Sequence, residues 1–191
     1  MEVVLPQSVR ITYRHVQRLG ARPDPGAITW GFEATAGAGG VVIARGGAVM
    51  VDLFGPDPYS ALGRASEHIR RIRDVAFNEH TREPDWSWGD DLDLLGDQLL
   101  VLDELTINPG MRARGFTALI NGMVITQLRH CVVAALYSAN AQWDGVSEVV
   151  ALRRGGLNLR PVRDGVHYID PAAVDLDGIV RRLDESRSVL I

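Results

Sequence analysis

Residues Leu99–Leu119 read LLVLDELTINPGMRARGFTAL, and their periodicity changes once. Leu99–Leu102 is a continuous apolar run, after which Asp103, Leu105 and Ile107 alternate with Glu104 and Thr106. A short apolar run bounded by turn formers predicts a buried strand. Asn108-Pro109-Gly110 ends it, because proline has no amide donor for a ladder and glycine accepts the turn. From Phe116 the spacing becomes helical, with Phe116, Leu119, Ile120, Met123, Val124 and Leu128 expected on one face. The unit is strand, basic loop, helix. A helix start leaves amide N–H groups unpaired and carries the positive end of the helix dipole. With Arg112 and Arg114 beside it, this start is expected to hold an anion.

On the C-terminal side, Cys131–Tyr137 (CVVAALY) predicts a second buried strand, with Cys131 as a core residue at its start. Strand, helix and strand in this order imply a parallel crossover. Val146–Arg153 predicts a short helix ended by Gly155-Gly156. Leu157–Val162 and Val166–Ile169 predict a closing pair of strands, and a terminal helix follows from Pro171.

On the N-terminal side, Val9–Val16 alternates as a half-buried strand, and the segment from Gly20 to Gly26, with Pro23 and Pro25, is a loop. Ile28–Ala36, Gly40–Ala44 and Ala48–Phe54 read as three strands of an antiparallel meander separated by glycines. Asp57-Pro58 starts one long helix reaching Asn78, which buries Leu62, Ala65, Ile69, Ile72 and Ala76 and turns His68 and its arginines mostly outward. His80–Gly96 is a loop long enough to be functional or mobile. The expected architecture is α/β: one domain over residues 1–191, a mixed sheet with a central parallel strand pair, and flanking helices.

Composition narrows the function classes. The 191 residues suit one domain, and 46% hydrophobic with 23% charged residues is an ordinary globular balance. No apolar run approaches the roughly 20 residues of a membrane span, and MEVVLPQSV lacks a secretory pattern. The single cysteine excludes an intrachain disulfide and fits a reducing cytoplasm. A net charge of −4 and a pI near 5.7 argue against nucleic-acid or anionic-membrane partners.

The strand Asp103-Glu104-Leu105-Thr106-Ile107-Asn108-Pro109 and the loop Arg112-Ala113-Arg114-Gly115-Phe116-Thr117 together resemble the GNAT superfamily of acyl-CoA-dependent N-acyltransferases. That family carries an acidic-acidic-Leu-x-Val-x-Pro strand followed by an Arg/Gln-x-x-Gly-x-Gly/Ala loop. Thr117 stands where the family prefers Gly or Ala, which puts a side chain near the expected pyrophosphate. A second segment, Ala151-Leu152-Arg153-Arg154-Gly155-Gly156-Leu157, resembles the family's Phe-Tyr-x-Lys-x-Gly-Phe helix end, with Leu152 where many members carry a tyrosine general acid. The motif resemblance covers roughly Gln98 to Ile169. The meander matches by architecture only, since family members usually place their early helices between the first and second strands.

The resemblance implies transfer of an acetyl group from acetyl-CoA, as co-substrate, to an amine acceptor by direct attack. Met111, Arg112, Ala113, Arg114, Gly115, Phe116 and Thr117 would cradle the pyrophosphate, with backbone amides donating. Main-chain groups of Leu105, Thr106 and Ile107 would pair with the pantetheine arm and polarise the acyl carbonyl. Asn140 matches the family's asparagine after the second strand. Dimerisation is common in the family.

Deprotonating the acceptor calls for a carboxylate in a partly apolar cleft. Asp103 and Glu104 point to opposite faces, so one of them addresses the cleft, with Glu104 slightly favoured; a strand-edge ion pair is the other reading. Tyr137 is a candidate to protonate the leaving thiolate, or else packs with a satisfied hydroxyl. Trp86 and Trp88, with His80, Asp90 and Asp91, form a candidate lid for a cationic acceptor, or simply anchor the loop. The histidines lack ligand spacing, so no metal is expected. Neither a P-loop nor a dinucleotide fingerprint occurs. Two other classes stay open: a GNAT-shaped CoA-binding or regulatory protein, favoured by Leu152, and a module holding some other phosphorylated ligand. Action on transfer RNA is disfavoured by the acidic balance.

Overall fold

The computed structural model of the protein describes residues 5–15, 26–63, 66–85, 87, 96–103, 105–112, 114–138, 142–143 and 146–188. A 3-10 turn, Pro6–Ser8, leads into β1 (Arg10–His15), β2 (Ala27–Ala36) and β3 (Val41–Asp52). Helices α1 (Pro58–Gly63) and α2 (Glu67–Ala76) follow, then β4 (Gln98–Leu102), β5 (Thr106–Ile107), α3 (Pro109–Arg112) and α4 (Phe116–Leu128). The chain continues through β6 (Val132–Ser138), the small hairpin β7 (Gln142–Trp143) and β8 (Val146–Ser147), and α5 (Glu148–Arg154). It ends with β9 (Arg160–Pro161), β10 (Val166–Ile169), a 3-10 turn at Pro171–Ala173 and α6 (Leu176–Ser188).

Eight described strands form one sheet in the order β1-β2-β3-β4-β6-β10-β9, with β5 paired to β3 beyond the end of β4. Among the described strands only β4 and β6 pair in parallel. The expected mixed α/β architecture with a central parallel pair is therefore present. Alternation along β4 distributes its side chains to two cores. Leu100 and Leu102 pack with α4, α5 and α6 through Phe116, Ile120, Leu152 and Ile179. Leu99 and Val101 pack with α1 and α2 through Leu62, Ile69 and Ile72. A strand covered on both faces reads as a continuous apolar run, which is why Leu99–Leu102 does not alternate. No helix among the described residues is long and apolar enough to cross a membrane.

Several local expectations need correction. The strands expected at Gly40–Ala44 and Ala48–Phe54 are one continuous strand, β3, with Gly46 and Gly47 inside it, opposite Phe32 and Gly31. A Cβ on Gly46 would lie 2.5 Å from Phe32 Cζ. Glycine there admits an aromatic ring and does not make a turn. The single helix expected from Asp57 to Asn78 is two helices with two caps. Asp57 Oδ1 accepts from Ser60 N at 3.0 Å, and Ser66 Oγ accepts from Ile69 N at 3.2 Å. Ala65, counted in its buried face, lies outside the described residues.

Cys131 is exposed at a φ of 63°, and the strand starts one residue later. Its carbonyl accepts from Asp97 N and Gln98 N at 3.1 and 3.0 Å, so it forms a corner and not core. Pro109 opens the helical turn α3, a position where its missing N–H costs nothing. Helix α4 is buried almost all round, because α5 and α6 cover the face that would otherwise meet water. The strand expected at Leu157–Val162 contracts to β9. The loop positions 20–25 lie outside the described residues.

Candidate functional site

The site is built where the central strand is interrupted. β4 ends on β3 with Leu102 opposite Ala48, and β5 resumes with Thr106 opposite Arg45. Three positions, 103–105, thus span what Gly46 and Gly47 span on β3. This is a one-residue bulge, a device that re-aims side chains and ends pairing. Asp103 N still donates to Gly47 O at 2.9 Å. On its other side β4 stays paired with β6 up to Val101 opposite Leu136. Beyond that point Tyr137 and Ser138 pair with β10, and no ladder among the described residues joins β5 to β6. The sheet opens between β5 and β6 at the C-terminal ends of its parallel pair, where ligands bind in open α/β sheets.

Helix α4 starts beside this opening. Its N-cap is Gly115 at φ 82°, ψ 7°, a left-handed conformation that favours glycine, and no side chain caps the helix. Its first turn carries no acidic residue. The amide cradle expected from Met111 to Thr117 is narrower than the sequence suggests. Met111 N and Arg112 N donate to Asn108 O at 2.9 and 3.0 Å, Arg114 N to Met111 O at 3.2 Å, and Gly115 N to Arg112 O at 3.0 Å. Those amides complete the α3 turn, and the first turn of α4, at Thr117, is the part that helix geometry directs toward an anion. Arg112 folds back, its Nη2 3.5 Å from Ile107 O, whereas Arg114 is exposed. The Thr117 side chain is 2% exposed, and its hydroxyl has no hydrogen-bond partner among the described residues.

Two polar groupings flank the opening. Asp103, expected as a catalytic carboxylate, accepts from Ser66 Oγ at 2.8 Å, which ties the bulge to the start of α2. Tyr137 is 3% exposed and donates its hydroxyl to Glu148 Oε1 at 2.5 Å; Glu148 is itself 6% exposed. The His68 ring stands edge-on to Tyr137 at 6.3 Å, half-buried, so its expected outward place on the helix is wrong. Ser66 and His68 come from one side of the sheet and Glu148 from the helix on the other; the opening is where they approach each other.

Sequence reasoning missed Ser66, His68 and Glu148. Ser147-Glu148 does carry the signal of a helix start, and Ser147 Oγ accepts from Val150 N at 3.3 Å, but nothing in the sequence pairs that carboxylate with Tyr137. Leu105 and Ile107 are buried at the bulge and Thr106 is exposed. Glu104, Ala113, Asn140, Trp86, Trp88, Asp90 and Asp91 lie outside the described residues. Among the described residues no three His, Cys, Asp or Glu side chains gather as a metal site.

No protein-family model matches the chain, and no curated protein matches it.

Proposed function

We propose that this chain is a GNAT-like acyltransferase that moves an acetyl group from acetyl-CoA to an amine. One observation carries the reading: the bulged central strand opens away from β6 directly beside a helix start that has a left-handed glycine cap and no acidic residue. The helix start suits the diphosphate of CoA, and the side of β5 that pairs with no described strand suits an extended amide-bearing arm laid along it as an added strand. The polar groups at the opening lie where the thioester would then reach.

Chemically, the amine nitrogen attacks the thioester carbonyl carbon and a C–N bond forms. Backbone N–H groups of the bulged strand stabilise the oxyanion. The proton lost from nitrogen passes to a carboxylate of the Asp103-Glu104 pair through water. The C–S bond breaks, the leaving sulfur takes a proton from Tyr137 as its hydroxyl turns from Glu148, and the phenolate recovers through water the proton that the carboxylate took from the amine. Orientation of the two reactants supplies much of the acceleration.

A second reading has its own support. Leu152, which replaces the family's tyrosine, is 1% exposed in the core, where it has no acid to offer. A CoA-binding protein without transfer activity would tolerate that residue. Calorimetric titration with CoA tests the shared part: saturable binding is expected, with the melting temperature raised as free ligand exceeds its Kd; no heat at millimolar CoA refutes both readings. Thiol release from acetyl-CoA over a panel of primary amines then separates enzyme from binder.

A further inference from the structure

We infer that Thr117 and Asn121 are a donor pair completed by ligand, and that they select a phosphorylated ligand with a second oxygen acceptor one helical turn from its phosphate. This rests on the acyl-CoA reading above and adds side-chain recognition that the strand-loop-helix motif does not contain.

Both residues are 2% exposed on α4, and Thr117 Oγ1 and Asn121 Nδ2 have no hydrogen-bond partner among the described residues. Buried polar atoms are nearly always partnered, and α4 carries three without a partner among the described residues, of which Thr117 and Asn121 belong to the most buried residues and share a face. Four residues apart, they share a face, separated by about 6 Å along the axis. Gly115 and Gly122 face Leu183 and Ile179 of α6, and the helical twist sets Thr117 and Asn121 on a different flank. Thr126, whose hydroxyl is also buried, lies on another flank further along the helix and is not part of the pair.

Packing does not call for these polar atoms, since valine and leucine would fill nearly the same volumes. Both groups donate hydrogen bonds, and Thr117 sits in the first turn, where the helix dipole favours an anion. A phosphoryl oxygen at Thr117 and a carbonyl oxygen of the attached arm at Asn121 satisfy both. Thr117, a departure from the Gly or Ala of the resembled family, thus becomes a ligand contact specific to this chain.

The test is calorimetry with CoA and with ADP, which has the diphosphate without the arm. Thr117→Val is expected to weaken both ligands about fivefold or more, and Thr117→Ser to restore them. Asn121→Leu is expected to weaken CoA about as much and leave ADP unchanged. Without ligand, the Val and Leu variants should melt no lower than the native chain. In the native chain the Asn121 side-chain amide resonances should shift when CoA is added, an answer that does not depend on any variant folding. CoA affinities equal to native in Thr117→Val and Asn121→Leu, or unmoved Asn121 resonances at saturating CoA, overturn the pair and leave the acyl-CoA reading standing. Failure of the native chain to bind CoA overturns both.

Discussion

Tyr137 and Glu148 show what a single buried contact does here. The phenol is the natural donor to a carboxylate that has lost most of its water, so each group makes the other's burial tolerable. Tyr137→Phe removes the donor and leaves the carboxylate behind, and is expected to cost about 1.5–3 kcal/mol, read from urea unfolding midpoints. An unchanged midpoint would show that the bond contributes nothing to stability. His167 makes a pH prediction. Burial holds its imidazole below the ordinary range; the Gly165 carbonyl, 3.0 Å from Nδ1, pulls the other way, and Arg153 adds to the lowering. A histidine with a lowered folded pKa takes its proton first in the unfolded chain. Its contribution to stability is therefore full above the ordinary value of about 6.5 and falls away as pH drops below it. Urea midpoints should decline between about pH 7 and about pH 5, and His167→Gln should flatten that slope. At this scale Tyr137 was legible in the sequence because it closes an apolar run. Glu148 and His68 were not, since their role is defined by a partner distant in the chain.

Among the elements, the bulge and the two-part helical segment are held by close contacts. Gly46 leaves room for the Phe32 ring, with Leu105 Cδ1 3.1 Å from where a Cβ would stand. Gly46→Ala is expected to destabilise by about 1–3 kcal/mol through overpacking, measured as a lower denaturation midpoint. If Phe32 simply swung aside at no cost, the midpoint would not move. Ser66 has two attachments, the cap of α2 and the Asp103 carboxylate. Ser66→Ala is expected to cost about 1 kcal/mol in stability from the lost cap alone. Strand and helix types in this region follow from period and capping residues. That glycine 46 sits inside a strand, and that serine 66 caps the start of a second helix, depends on what packs against them.

Across the whole molecule, the parallel pair lies between two cores and the opening lies at its end. Amide exchange should be slowest in Leu99–Val101 and Ala134–Leu136, which are paired and covered on both faces, and faster in β1 and β9 at the sheet edges. Comparable rates in all four would contradict this layering. From sequence alone came the strand-loop-helix unit, the parallel crossover and the basic turn before α4, because these depend on side-chain period, proline and glycine chemistry and short-range order. Only the tertiary structure decided that the strand bulges opposite Gly46-Gly47, that most amides of the basic turn are spent inside it, and that Ser66, His68, Glu148 and Tyr137 come to one opening. Those features arise from pairing register and from contacts across the sheet, and residues tens of positions apart carry no local signal of such contacts.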